Sequence, residues 1–172
     1  MEPGDLLRFE AEALLAGIVL DTKNFTNRAG SRTFEAAAYL RKEGADTAEV
    51  QRMFQSDLAT KISRYDIIRQ AEIYRDDLAI AALAEESDRV TAAKASDELL
   101  TIQGVRASFV LYPKGDGVYI SARSLGDVNV QVIVEELGGG GNSTTAGGLL
   151  AYTTASEAKA KLLAAIDEYF NK

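Results

Sequence analysis

The sequence contains no cysteine and no histidine. Without cysteine there is no disulfide framework and no thiolate zinc site. Without histidine there is no Ser-His-Asp triad, no imidazole general base and no histidine metal ligand. Chemistry is left to carboxylates, lysine, arginine, hydroxyls and backbone. No apolar run approaches the ~20 residues of a membrane span. Met1-Glu2-Pro3-Gly4-Asp5 lacks the basic n-region of a signal peptide, so the compartment expected is cytoplasmic. A net charge of -7 argues against binding long nucleic acid. It still allows a small phosphorylated ligand on a local basic patch. At 172 residues, 47% hydrophobic and 26% charged, the chain fits one globular domain or two small ones.

What is abundant is glycine in one place. Gly138-Gly139-Gly140-Gly141-Asn142-Ser143-Thr144-Thr145 follows an apolar run and precedes a hydroxyl-rich turn. Glycine loses the most backbone freedom on ordering, so four in a row are not expected in a packed element. Bare N–H groups and small hydroxyls suit an anion. A flexible linker is the rival reading. The run lies about 30 residues from the C-terminus with apolar structure on both sides, which favours a ligand loop.

In chain order, residues 5–16 are expected to form a helix capped by Asp5, with Leu7, Ala11, Leu14 and Leu15 on one face. Gly17-Ile18-Val19-Leu20 is expected to be a short buried strand. Asp21 would then stand at the carboxyl end of a strand, where open α/β sheets bind ligands. Residues 22–42 reverse the sign of the chain, with five basic residues and only Glu35 acidic. Arg28 and Arg32 offer guanidinium forks that match phosphate, whereas Arg41 and Lys42 fit a solvated helix face. A helix over 33–43 would be capped by Ser31 and stopped by Gly44. A short helix opens at Asp46, with Val50, Met53 and Phe54 inward.

Residues 56–74 are expected to form one long connecting helix capped by Ser56. A strand at 78–84 and a helix at 88–102 follow. A hairpin is expected from strands 105–112 and 118–123, around the five-residue loop Pro113-Lys114-Gly115-Asp116-Gly117. Arg123 ends its second strand, and a surface charge is the alternative reading for it. Asp127 would cap a helix over 127–137, with a strand as the rival. A strand at 149–152 and a final helix with a capping box at Thr154-Ala155-Ser156-Glu157 complete the chain. Asp21 is the only acid placed as a metal residue should be. One carboxylate does not hold a divalent ion that wants about six ligands, and a turn or capping role competes.

Two stretches resemble a known family. Leu15-Ala16-Gly17-Ile18-Val19-Leu20-Asp21-Thr22-Lys23-Asn24-Phe25, continued by Arg28-Ala29-Gly30-Ser31-Arg32-Thr33-Phe34, resembles the last catalytic motif of DHH-family phosphodiesterases, in particular the GdpP type that hydrolyses cyclic di-AMP to linear pApA. Ile120-Ser121-Ala122-Arg123-Ser124, Val128-Asn129-Val130-Gln131-Val132 and Leu137-Gly138-Gly139-Gly140-Gly141 resemble the accompanying DHHA1 domain.

The resemblance implies an α/β chain. Residues 1–55 would end a DHH catalytic domain, a connector helix would span 56–75, and 76–172 would be a DHHA1 domain with a mixed sheet flanked by helices. It makes Asp21 a catalytic metal ligand for Mn²⁺, in a two-ion site that is incomplete here. It puts Asn24, Arg28, Ser31 and Arg32 near the substrate. It makes Arg123, Gly138, Gly139, Gly140 and Gly141 nucleotide contacts, joined by Asn142 where the family carries histidine. The implied partner is cyclic di-AMP or a short dinucleotide, with a homodimer allowed and a membrane-anchored parent conceivable. The earlier acidic motifs and the Asp-His-His triplet do not occur in this sequence, which implies a part that is inactive alone. The alternatives are a non-catalytic nucleotide-binding module and a relative acting on short oligonucleotides or on pAp.

Overall fold

The computed structural model describes residues 6–171, which divide into two compact units between Asp57 and Leu58. The first unit is helical: α1 (Arg8–Asp21), α2 (Ser31–Lys42) and α3 (Thr47–Met53). Ala11, Leu15, Leu40, Ala45 and Val50 form its small core, with Ile18, Val19, Phe25 and Ala37 half-buried around it. Glu12 ties the unit together. Its carboxylate accepts from Arg8 Nε at 2.8 Å and from the Asp46 N–H at 3.3 Å. Asp46 in turn caps α3 by accepting from the Ala48 N–H. Gly44, at φ 101°, stops the chain after α2 as expected.

The expected strand at 17–20 is the first correction, because α1 runs unbroken to Asp21. The inward positions continue from Ala11 and Leu15 through Ile18 and Val19 to the buried Thr22, which is helical spacing. No strand lies in the first unit among the described residues, so an extended segment would leave its N–H and C=O groups unpaired. Gly17 touches nothing that a Cβ would disturb, so its cost in the helix is about 1 kcal/mol. Asp21 therefore ends a helix rather than a strand. The cap expected at Asp5 lies outside the described residues, and Ser31 is the first residue of α2 rather than its cap, which is Gly30. Met53 and Phe54, expected inward, are exposed.

The second unit opens with α4 (Leu58–Ile68), β1 (Glu72–Tyr74), β2 (Leu78–Ala82) and α5 (Arg89–Leu99). It continues with β3 (Ala107–Lys114), β4 (Gly117–Ser124), α6 (Val130–Glu135), β5 (Gly140–Asn142), β6 (Thr145–Ala151) and α7 (Ala155–Asn171). The expected helix over 56–74 is thus corrected to 11 residues plus an edge strand. Tyr74 explains the switch: its hydroxyl donates to Asp167 of α7 at 2.8 Å, and the strand pairs with β2.

The six strands lie in the order β1-β2-β3-β4-β6-β5. Only β2 and β3 are parallel, joined through α5. One face packs Ala79, Ala81, Val110 and Tyr112 against Ala92, Ala95 and Leu99 of α5. The other packs Leu78, Ile80, Phe109, Leu111 and Ile120 against α6 and α7. Asn129, not Asp127, caps α6 by accepting from the Gln131 N–H. The capping box at Thr154 and Glu157 forms as expected.

The hairpin turn is tighter than expected. β3 and β4 pair through Lys114 and Gly117 around a two-residue turn, Gly115-Asp116, with Gly115 at φ 59°. This register puts Tyr112 opposite Tyr119 and Ser108 opposite Arg123.

Candidate functional site

The second unit carries a cleft of about 490 Å³ on the α5 side of the sheet, over β4, β6 and β5. Its floor follows from the register. Ser121 of β4 faces Gly147 of β6, and Gly147 faces Gly140 of β5. Side chains alternate across a sheet, so these three positions and Arg123, Thr145 and Asn142 share one face. Glycine at 140 and 147 leaves that face bare where α5 no longer covers it.

The glycine run is corrected by this arrangement. Half of it is the edge strand β5, not an open loop. The glycines are required by closeness rather than by mobility. A Cβ at Gly139 would lie 2.5 Å from both the Gly147 carbonyl oxygen and Val134 Cγ1. At Gly140 a Cβ would meet nothing within 4 Å, because that position opens on the cleft. Gly138, at φ 81°, turns the chain out of α6.

Asn142 shapes the hairpin end. Its Oδ1 accepts from the Thr144 N–H at 3.0 Å, the Thr145 N–H at 3.0 Å and the Thr144 hydroxyl at 3.1 Å. The amide oxygen is thereby committed to the β5–β6 turn, and the NH₂ group remains as a donor. A histidine cannot reproduce this three-fold acceptor.

Arg123 is held in place. Its Nε lies 3.2 Å from Asp97 Oδ1 on α5, and its Nη1 donates to the Ala122 carbonyl at 2.9 Å and to Ser121 Oγ at 3.3 Å. Its side chain is 14% exposed, against 40% for Asp97. The fork is oriented before any ligand arrives, and it lines the cleft. At the other end Tyr112 and Tyr119 stack, with centroids 5.6 Å apart and planes at 20°. Burial pushes the Tyr112 phenol up, and the positive field of Arg89 pulls the other way. Arg89 and Ala93 supply the α5 wall.

The other expected residues belong to the first unit. Asp21, Asn24, Arg28, Ser31 and Arg32 are all exposed. Asp21 is the last residue of α1, and Ser31 and Arg32 begin α2. Between them Lys23, Asn24 and Phe25 are consecutively left-handed, at φ 46°, 58° and 63°, and Arg28 is left-handed at 55°. Thr22 holds this loop. Its hydroxyl donates to the Ile18 carbonyl at 2.6 Å and accepts from the Phe25 N–H, while its carbonyl accepts from Thr26 and Asn27. Phe25 then stacks on Phe34 of α2 at 5.2 Å.

No hydrogen bond or ion pair joins Asp21 to Arg28 or Arg32 among the described residues. Among those residues no three Asp, Glu, His or Cys side chains gather as a metal group. The donor set of the described residues does not fit a two-ion centre by itself. No helix of the described residues is long and apolar enough to cross a membrane.

Sequence reasoning missed Thr22, Asp97, Arg89 and the tyrosine pair. The row Arg89, Ala93, Asp97 repeats every four residues, and a two-residue turn at Gly115-Asp116 would have paired Tyr112 with Tyr119. Both signals were present in the sequence.

Residues 75–172 match the model of the DHHA1 domain. The chain is 53% identical over 168 residues to the cyclic-di-AMP phosphodiesterase GdpP of Geobacillus thermodenitrificans, covering 96% of this chain and 26% of that protein. It is 50% identical over 166 residues to the cyclic-di-AMP phosphodiesterase PdeA of Listeria monocytogenes, covering 95% and 25%. The chain therefore spans about a quarter of the length of these curated relatives. An exopolyphosphatase-related protein from Bacteroides fragilis shares the fold, with a TM-score of 0.87 at 23% identity, over 96% of this chain and 52% of the other.

Proposed function

The chain belongs to the DHHA1 domain family, and on that footing we propose that it is the nucleotide-binding part of a phosphodiesterase acting on cyclic di-AMP. The observation that carries the reading is Arg123. Its guanidinium is clamped by Asp97, Ala122 and Ser121 beside a glycine floor, in a cleft built on the sheet. A preset cation with bare backbone beside it suits a phosphate, which needs donors and close approach. The names of the Geobacillus and Listeria relatives supply the nucleotide. Gly140 and the Asn142 NH₂ group complete the phosphate end. Gly138, Gly139 and Gly141 act through the backbone path they allow.

In the first unit, Asn24 and Arg28 of the loop, with Ser31 and Arg32 at the start of α2, are an exposed polar and basic set that we read as substrate contacts of the longer enzyme. Asp21 is read there as one Mn²⁺ ligand. A single carboxylate does not make a metal centre, so no catalytic step is assigned to this chain, and cleavage by it alone is not expected. Calorimetry of the chain with cyclic di-AMP and pApA tests the reading. Binding of either that is weakened about tenfold or more by Arg123→Ala supports it. Absence of binding, or binding indifferent to that substitution, refutes it.

A further inference from the structure

The cleft has a second end that a phosphate grip does not use. Two rows of residues run along it. On α5, Arg89, Ala93 and Asp97 follow one another at one-turn intervals, and Arg89 lies about 12 Å along the helix from Asp97 at 1.5 Å per residue. On β4, Tyr119 lies four residues before Arg123, about 13 Å away at 3.3 Å per residue. Asp97 bonds Arg123 at one end of these rows. At the other end Arg89 acts electrostatically on Tyr112, which stacks on Tyr119. Between the ends the lining is small: Ala93, Ser121, Gly140 and Gly147.

The two tyrosines are not equivalent. Both line the cleft, but Tyr112 is buried in the cluster of Ala92, Ala95 and Val110 and serves the core, while Tyr119 is only partly covered and keeps ring surface open to the cleft. Its diagonal neighbour on β6 is Gly147, which has no side chain to occupy the space beside the ring. The cleft thus runs from a clamped cation, across bare backbone, to a half-open aromatic ring with a second cation next to it.

We propose that Tyr119, backed by Tyr112 and flanked by Arg89, is the base-binding end of this cleft. The phosphate then lies at Arg123 and a planar base stacks at Tyr119, with Arg89 beside the base. This assignment rests on the phosphate reading of Arg123 and adds to it a residue that decides between nucleotides and other phosphate esters. The aromatic ring favours any base over none, because every base presents a π-face.

The test uses the unaltered chain first, titrated by calorimetry with AMP and with ribose 5-phosphate, which differ in the base alone. AMP is expected to bind about tenfold tighter, and equal affinities overturn the inference. The same titrations with pApA are then run on Tyr119→Leu, Tyr119→Phe and Arg89→Ala, with folding checked by circular dichroism. Tyr119→Leu is expected to lose about tenfold, and Tyr119→Phe, which keeps the ring, to restore binding. Arg89→Ala is expected to weaken pApA and to flatten its salt dependence. If Tyr119→Leu binds as wild type while Arg123→Ala does not, the base end is wrong and the phosphate reading stands. If Arg123→Ala is also without effect, both fall.

Discussion

The two units carry phosphate-competent residues in opposite states of preparation. In the first unit Asp21, Arg28 and Arg32 are exposed ends and loop positions, joined to one another by nothing. In the second, Arg123 is pinned through two of its three guanidinium nitrogens, and its neighbours are strand positions fixed by pairing on both sides. The cores differ in the same direction. Among the described residues five small and medium apolar side chains are buried in the first unit, while Phe9, Leu14 and Leu20 stay exposed, Leu20 at 69%. The second unit buries residues on both faces of a six-stranded sheet. A site gains precision from the element that carries it. Here one unit fixes the geometry of its proposed phosphate site by strand pairing, and the other presents its proposed contacts on exposed positions.

The comparison is broken most severely by emptying the larger core. Phe109→Ala should cost the second unit about 3–5 kcal/mol, because a fully buried ring is lost. Hydrogen exchange should show lost protection in β3 and β4 with α1 to α3 unchanged, and equal loss in both units would contradict their independence. Arg123→Ala should lower nucleotide affinity about tenfold or more, whereas Arg28→Ala and Arg32→Ala should change binding to this chain less than about twofold. An equal effect from the loop arginines, read by calorimetry, would erase the distinction between a prepared and an unprepared site.

The glycines sharpen it further. Gly139→Ala forces a Cβ into the Gly147 carbonyl and Val134 and should destabilise by about 1–3 kcal/mol in urea titration. Gly140→Ala meets no atom and should leave stability within about 1 kcal/mol, yet weaken nucleotide binding by intruding on the floor.

The smallest effect is the pH response. The hydrogen bond from Arg8 holds the Glu12 carboxyl below its usual range. Its folded-state value is therefore depressed, so the stability it contributes is present above the ordinary carboxylate value of about 4.3 and is lost as pH falls through the lower folded value. The hydrogen bonds from Tyr74 and Arg75 depress Asp167 in the second unit in the same way. The first unit, with the smaller core, should loosen earlier on acidification. Circular dichroism of Glu12→Gln between pH 6 and 3, to be compared with wild type, should show a flatter first-unit transition.

Much of the second unit could be read in advance, because its signals are local. Thr154 and Glu157 announced α7, and the apolar runs marked β2, β3 and β4. The failures have physical causes. A five-residue turn around Gly115 would pair Tyr112 with Val118, and one residue of slip exchanges the faces of a strand. That slip hid the tyrosine pair. Gly17-Ile18-Val19-Leu20 suits a buried strand by composition, but a strand needs a partner and a helix does not, so propensity yielded to backbone pairing. For the glycine run, entropy and the flanking apolar segments point to a loop, because the contacts that make it a strand are not local. The neighbours that require it, Val134 and Gly147, are distant in sequence or undistinguished in type. Arg123 was found as a residue and missed as a clamp, since nothing near it in the chain points to Asp97.

The tight Gly115-Asp116 turn also orders events in time. A hairpin closed by two residues forms within about 1–10 μs in isolation, whereas the parallel β2–β3 contact must wait for the α5 crossover between them. The strand bearing Arg123 is therefore expected to find β3 early, as a folding nucleus, with Asp97 arriving later on its helix. Substitutions in the turn would then slow folding of the binding surface, and substitutions at Asp97 would mainly hasten its unfolding.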